Sequence, residues 1–537
     1  MQPHRVALRG RPGLLARACL LAAAFALAGL PARAQVPRPG GELTAVVQPE
    51  PPLLVSAFNS AAPVGLVSTK MLEGLLSYDL EMNPRPALAT AWTLSGDGKT
   101  LTLRLREGVR WHDGAEFTSA DVQFSLMKVW KELHPRGRST YATVTGVDTP
   151  DKHTAVIRLS EPAPALLWAL SSYESQVLPR HVYEGTDIRN NPANTAPVGT
   201  GPFKFKSWLP GREIVLERNP DYWDSGKPYL ERLVFRILPD ASARTAAFAA
   251  GEVQLGGFSP VPLADLQRLA ETGELQIETR GYEYFAPLFL MEFNLRNPYL
   301  RDRKVRQAIA HAIDRDRLVR EVWHGFGKAA IGPVPSVLSR FYTDKVPQYP
   351  FDPARAQRLL DEAGFEKRGK WRFSIIHDYL PYGANYQRTA EAVKQMLEQV
   401  GIRVELRSQD IGAFLRRVYG DYEFDLTSNF FYALPDPVLG VQRIYWSKNI
   451  HPGVPFSNAS GYRSVEMDQL IESIQAEHNE ARRLALIHRL QAVAQFDLPV
   501  LPLFEMRFFT LANRRIVNHT LTADGLYASF AEVWLKP

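Results

Sequence analysis

Residues 198–240 read VGTGPFKFKSWLPGREIVLERNPDYWDSGKPYLERLVFRILPD, and no other stretch restricts the fold as much. Gly199 and Gly201 permit backbone approaches closed to other residues. Two short apolar runs follow, Phe203 with Phe205 and then Ile214 to Leu216, on either side of Pro210-Gly211. This pattern predicts a β-hairpin. Asn219-Pro220-Asp221 then breaks the chain ahead of Tyr222 and Trp223, and Leu233, Phe235 and Ile237 alternate onto one face of a third strand. Nothing in the hairpin is chemically reactive, so its value is architectural.

The first 34 residues have a different character. Arg5, Arg9, Arg11 and Arg17 surround the approach to an apolar run from Ala18 to Leu30, closed by Pro31-Ala32-Arg33-Ala34. That order is the pattern of a secretory signal peptide over residues 1–34, with cleavage expected between Ala34 and Gln35. The run is well short of the ~20 residues a stable bilayer-spanning helix needs, and no later segment is apolar enough to span. Cys19, the only cysteine, lies in this run without a lipoprotein cleavage box and would leave with the leader. A mature chain without cysteine has no disulfide and no thiol chemistry. No twin-arginine pair is present, which favours export in unfolded form. The expected product is a soluble periplasmic protein, taken as a monomer.

The chain has 63 basic and 57 acidic residues, but the leader holds five arginines and no acid, which leaves 58 against 57. Such a balance argues against nucleic acid or an anionic membrane as partner. The 537-residue length exceeds what one core serves, so two or three domains are expected.

Along the mature chain, Gly41 to Val47 predicts a strand and Gly65 to Leu76 a helix. Ala91 to Leu94 and Thr100 to Arg106 flank Gly96-Asp97-Gly98 as a second hairpin. Trp111-His112-Asp113-Gly114 reads as a surface turn, and Thr118 to Asp121 as a capping box opening a helix that buries Val122, Leu126 and Val129. Asp302 caps a helix carrying Val305, Ile309, Ala312, Ile313, Val319 and Trp323 at spacings of mostly three and four. Asp352-Pro353 opens a helix ending at Gly364; Phe373 to Ile376, Gln387 to Val400 and Ile402 to Leu406 then follow as strand, helix and strand. A crossover of that length implies a parallel pair and an α/β class. Helices over Val465 to Ile474 and Ala481 to Gln495 lead to a strand-rich tail.

Several segments together resemble one family. Val198 to Trp223 resembles a G-T-G-P-[FY]... N-x-x-Y-W signature, Arg106 to Val122 an R-x-G-V-x-[FW]-H-D-G... F-T-A-x-D-V signature, and Phe293 to Arg315 an F-N... D-x-x-V-R-Q-A-I-x-x-A-I-D-R segment. These are similar to the family 5 extracellular solute-binding proteins, the dipeptide, oligopeptide and nickel-type receptors of ABC importers. The resemblance implies a large two-lobed periplasmic binding fold of type II, peptide-receptor kind. Lobe I would comprise residues 35–78, 200–290 and 506–537, with an inserted subdomain at 79–199, and lobe II residues 291–505.

The resemblance implies a receptor that holds a peptide-like solute between lobes and delivers it to a permease and ATPase. Opine-like conjugates, oligosaccharide or chelated nickel are alternative cargoes, and a chaperone-like binder of unfolded peptide is an alternative role. No cofactor and no resident metal are expected. An exported hydrolase is disfavoured, because no G-x-S-x-G elbow, H-E-x-x-H helix or usable cysteine occurs. Asn429 to Pro437 resembles the W-x-x-D-Y-P-D-P loop that lines the family's ligand site. By that resemblance Phe430, Phe431 and Tyr432 would form apolar walls, and Asp436 would meet a ligand amine. Ala433 stands where an aspartate is common. Arg443, Tyr445 and Trp446 would complete the loop towards a ligand carboxylate, and Asn294 joins them as a candidate contact.

Overall fold

Glu73 is 6% exposed, and three donors from the 198–240 segment converge on its carboxylate: Thr200 Oγ1 at 2.8 Å, Tyr222 Oη at 2.8 Å and Trp223 Nε1 at 2.9 Å. Burial pushes its pKa up, and the same three hydrogen bonds hold it down. A carboxylate so deep is tolerable only when its lone pairs are met. The glycines permit the approach: a Cβ on Gly199 would lie 1.8 Å from the Met71 carbonyl oxygen, which also accepts from the Gly201 N–H at 2.8 Å.

These contacts come from a computed structural model that describes residues 36–537, Arg368 excepted. The leader, Cys19 and the expected cleavage site lie outside the described residues. Residues 39–537 form one compact unit.

The hairpin is present as Phe203–Leu209 and Glu213–Arg218, turning at Gly211 with φ +72°. Arg232–Ile237 pairs antiparallel with the second hairpin strand and parallel with Glu42–Val47. The seven-stranded sheet continues through Leu255–Gly256 and Thr510–Asn513 to Leu275–Glu278. Strands 468 positions apart in sequence therefore share one sheet: Glu42 opens the first and Thr510 the penultimate.

A six-stranded sheet follows the order Gly327–Ala329, Val500–Met506, Pro287–Phe293, Leu426–Tyr432, Phe373–Tyr379, Ile402–Arg407. Phe373–Tyr379 and Ile402–Arg407 are parallel and joined by the helix Ala384–Gln399, which is the crossover the apolar spacing predicts. The chain passes between the two sheets twice, after Glu278 and after Met506. Ala89–Leu94, Thr100–Leu105, Thr154–Leu159 and Val144–Asp151 make a separate four-stranded antiparallel sheet. Among the described residues no helix is long and apolar enough to cross a membrane.

Three local expectations change. The helix expected over 65–76 spans Ala62–Ser68, because the Lys70 and Met71 carbonyls accept from the Phe203 and Gly201 N–H groups instead of continuing a helical ladder. The helix capped by Asp302 ends at Ala312; Ile313 is extended, and Asp314 caps a new turn before Trp323. His112 is half-buried and bonded to a distant segment: its Nδ1 accepts from the Gly199 N–H at 3.1 Å, and its Nε2 lies 2.9 Å from the Gly201 carbonyl. That pattern requires a neutral ring, in line with burial lowering its pKa to about 4. By contrast the capping box stands, with the Thr118 N–H donating to Asp121 Oδ2 at 2.8 Å and Val122, Leu126 and Val129 fully buried.

Candidate functional site: an aromatic cleft between two sheets

Leu426–Tyr432 ends beside both chain crossings. Alternation along the strand sends Phe430 and Tyr432 to one face and Phe431 to the other. Tyr432 meets Phe285 of the first crossing, ring centroids 5.1 Å apart, and Phe430 lies 6.0 Å from Phe508 of the second. Phe258 bridges to Phe508 at 5.8 Å and to Tyr527 at 5.2 Å, and Tyr527 stacks on Tyr173 at 4.7 Å. Tyr382 and Tyr386 close the wall beside Phe430 at 6.3 and 6.2 Å. The result is a continuous aromatic cluster, drawn from segments that start at Tyr173 and end at Tyr527, which joins the two sheets at the chain crossings. Burial raises the Tyr432 hydroxyl well above its ordinary pKa, and the neighbouring Tyr173, Tyr386, Tyr282 and Tyr382 add to the shift. It is therefore a neutral hydrogen-bonding group, suited to polar ligand atoms.

Charge is arranged around this wall. On the side of the seven-stranded sheet, Glu174 is 5% exposed and accepts from Arg136 Nε at 3.2 Å, while Arg136 Nη1 donates to Ser60 Oγ at 3.2 Å. On the other side Arg443 approaches the Phe431 ring, its guanidinium carbon 5.5 Å from the centroid. Its Nε is buried without a hydrogen-bond partner, and it makes no ion pair among the described residues. Burial lowers its pKa to about 10, assisted by the Arg136 charge and opposed by Tyr419, Glu292 and Glu174. Arg443 is half-buried and carries no counter-ion among the described residues, and an anion supplied from outside would meet its Nε.

The candidates read from the sequence separate into three groups. Phe430 and Tyr432 belong to the aromatic cluster, and Arg443 lies against Phe431 on the other face of the strand. Phe431 and Tyr445, 3% and 1% exposed, belong to the hydrophobic core beneath it, and Trp446 packs against that core with Lys448 Nζ 5.3 Å from its ring.

Asp436 and Asn294 have their polar atoms engaged by partners within the protein. Asp436 is wholly buried, and Arg483 Nη1 and Nη2 donate to its two oxygens at 2.8 Å each, so its charge is already neutralised. Asn294 Nδ2 donates to the Tyr422 and Phe424 carbonyls at 2.9 and 2.7 Å, and its Oδ1 accepts from the Arg296 N–H at 3.2 Å. Both residues brace loops and have no free polar atom facing a solute.

Glu292 lies outside every motif that the sequence offers. It is the single charged residue of the strand Pro287–Phe293, PLFLMEF, in which every position is buried. An acid in such a strand is itself the signal that could have found it. Tyr419 Oη and Asn429 Nδ2 donate to its Oε1 at 3.1 and 2.9 Å, and its Oε2 has no partner.

Comparison with known proteins places this geometry in context. Residues 83–450 match the profile of the bacterial extracellular solute-binding proteins, family 5 middle region. A Brucella ovis protein, to which peptide binding in an ABC transporter is ascribed, is 30% identical over 485 residues, covering 86% of this chain and 87% of its own. The glutathione-binding protein GsiB of Salmonella typhi is 25% identical over 481 residues, with coverage of 88% and 90%. The fold is similar to that of the ABC transporter substrate-binding protein CtaP of Listeria monocytogenes, with a TM-score of 0.82, 24% identity and coverage of 93% and 100%.

Proposed function

Since the chain belongs to the family 5 extracellular solute-binding proteins of ABC importers, we propose that it captures its solute between the seven- and six-stranded sheets, with Arg443 receiving an anionic group. The observation that carries this reading is a half-buried guanidinium whose Nε has no partner and which has no counter-ion among the described residues, close to the aromatic cluster. Phe430 and Tyr432 supply apolar contact along an extended ligand, and the two crossings act as the hinge about which the lobes close. Lobe I is taken as residues 35–78, 200–290 and 506–537 with the insertion at 79–199, and lobe II as 291–505. The cargo is a peptide-like solute, in keeping with the peptide- and glutathione-binding relatives. Export by cleavage after Ala34 and hand-over to a permease and ATPase complete the role.

The small molecule that accompanies natively purified protein, released by mild denaturation and identified by mass spectrometry, is the probe. Calorimetric titration into wild type and Arg443→Gln tests the reading. A charge-assisted contact in a closed cleft is worth about 2–5 kcal/mol, so the variant binds more than tenfold more weakly. Equal affinities would remove Arg443 from the site.

A further inference from the structure

The boundary between the two bodies falls within a single step of the chain. Tyr282, Tyr284 and Phe285 belong to the core under the seven-stranded sheet, whereas Ala286 and Leu288 belong to a core of the six-stranded sheet. Up to Phe285 the first crossing is bolted to the first body. Tyr282 Oη lies 2.8 Å from Thr510 Oγ1 and accepts from the Phe258 N–H at 2.9 Å. Tyr284 Oη donates to the Trp168 carbonyl at 2.7 Å, and the Tyr284 N–H to the Ala523 carbonyl at 3.0 Å. Pro287 is already in the other sheet, opposite Tyr432. A rotation between the bodies at this crossing therefore has one residue to act on, Ala286.

Ala286 stands at φ +41°. A Cβ makes that left-handed region costly, and a following proline steers the residue before it towards extended backbone, so Ala286 is disfavoured there twice over. Its neighbours across the ladder hold it in place: the Ala433 and Leu434 N–H groups donate to the Ala286 and Phe285 carbonyls at 3.3 Å each. Leu434 is itself left-handed, with φ +59°, and its side chain sits in the first body's core although Ala433 belongs to the second. The bodies also meet beyond the crossings. The Arg340 guanidinium carbon is 5.6 Å from the Trp168 ring centroid, and a Cβ on Gly98 would lie 3.4 Å from that of His478. The strained backbone thus belongs to a closed arrangement. Resting on the cleft reading above, we propose that Ala286 is a backbone spring: its left-handed strain is held while the bodies are closed and released as they open, which drives the empty receptor open and limits how long cargo is retained.

A solute that closes the cleft must outweigh this strain. Ala286 is 1% exposed and its methyl lies in a core, so relieving the strain changes retention without altering a contact to the solute. Ala286→Gly removes the Cβ, and Pro287→Ala relieves the same residue by the other route. Mature wild type and both variants are stripped of the co-purified molecule by unfolding and refolding and measured by small-angle scattering, empty and after that molecule is restored; its release is then timed. The expected result is that each empty variant has a smaller radius of gyration than empty wild type, that the loaded proteins agree, and that release from the variants is slower by about fivefold or more. Either variant carries the test if the other refolds poorly. Empty variants as extended as wild type, or release as fast as or faster than from wild type, would overturn the spring while leaving the cleft reading intact. A wild-type radius that does not change when the molecule binds would overturn both.

Discussion

Replacing Asp436 by Asn keeps the side-chain shape and removes the charge that two Arg483 nitrogens grip at 2.8 Å. The carboxylate is wholly buried and the Arg483 side chain 7% exposed, so water screens neither partner. The variant loses two charge-assisted bonds and turns an amide N–H₂ towards a guanidinium. Breaking one partner of a buried pair costs about 3–5 kcal/mol. Arg483 Nε also donates to the Ile474 carbonyl at 3.0 Å, so the cation cannot swing out to solvent without unlatching the helices Val465–Ala476 and Glu480–Asp497. For one cooperative unit of roughly 500 residues each kcal/mol lowers the melting temperature by about 1 °C, which gives a fall of about 3–5 °C. Scanning calorimetry of wild type, Asp436→Asn and Asp436→Asn/Arg483→Met tests this. The double variant recovers much of the loss because no charge is stranded. An unchanged melting temperature in Asp436→Asn, together with tenfold weaker binding of the co-purified molecule, would refute the reasoning and return Asp436 to the ligand site.

Other outcomes follow from the same physics. Glu73→Ala strands the Thr200, Tyr222 and Trp223 donors and opens a void, and is expected to cost about 3–5 kcal/mol in calorimetry without altering ligand selectivity. Burial raises Glu292 from 4.5 to about 7, against its bonds to Asn429 and Tyr419 and the Arg443 charge. The folded state thus favours the protonated acid: this contribution is complete below pH 4.5 and is lost as pH rises through 7, about 3 kcal/mol in all. Glu292→Gln removes that slope from the ligand-free stability profile. An unaltered profile between pH 4.5 and 7 would show that Glu292 does not titrate there. Asp378, raised to about 6 chiefly by burial, titrates in the same window in both proteins, so the test is the difference between the two profiles.

What the sequence made legible was local. The hairpin, the capping box and the parallel crossover each depend on a short contiguous stretch, at longest Phe373 to Arg407, where periodicity and turn chemistry decide the outcome. The cleft does not have that property. Tyr173, Phe258, Phe285, Phe430, Phe508 and Tyr527 are spread over most of the chain, and no spacing rule brings them together. The partner of Asp436 is hidden from the local sequence for a related reason. A carboxylate in a Pro-Asp-Pro loop looks free until Arg483, 47 residues on, is found to hold it. The helix expected as far as Leu76 failed because its carbonyls are claimed by a strand far downstream, a competition that local propensity does not register. Glu292 was legible in principle, as an acid inside an apolar run.

The central claim, that a solute is held between two bodies hinged at the crossings after Glu278 and Met506, is tested most directly by small-angle scattering. The protein is stripped of its co-purified molecule by unfolding and refolding, measured, and measured again after that molecule is restored at saturating concentration. The account predicts a smaller radius of gyration with ligand and a melting temperature that rises with ligand concentration. Superimposable curves with the ligand demonstrably bound would contradict it.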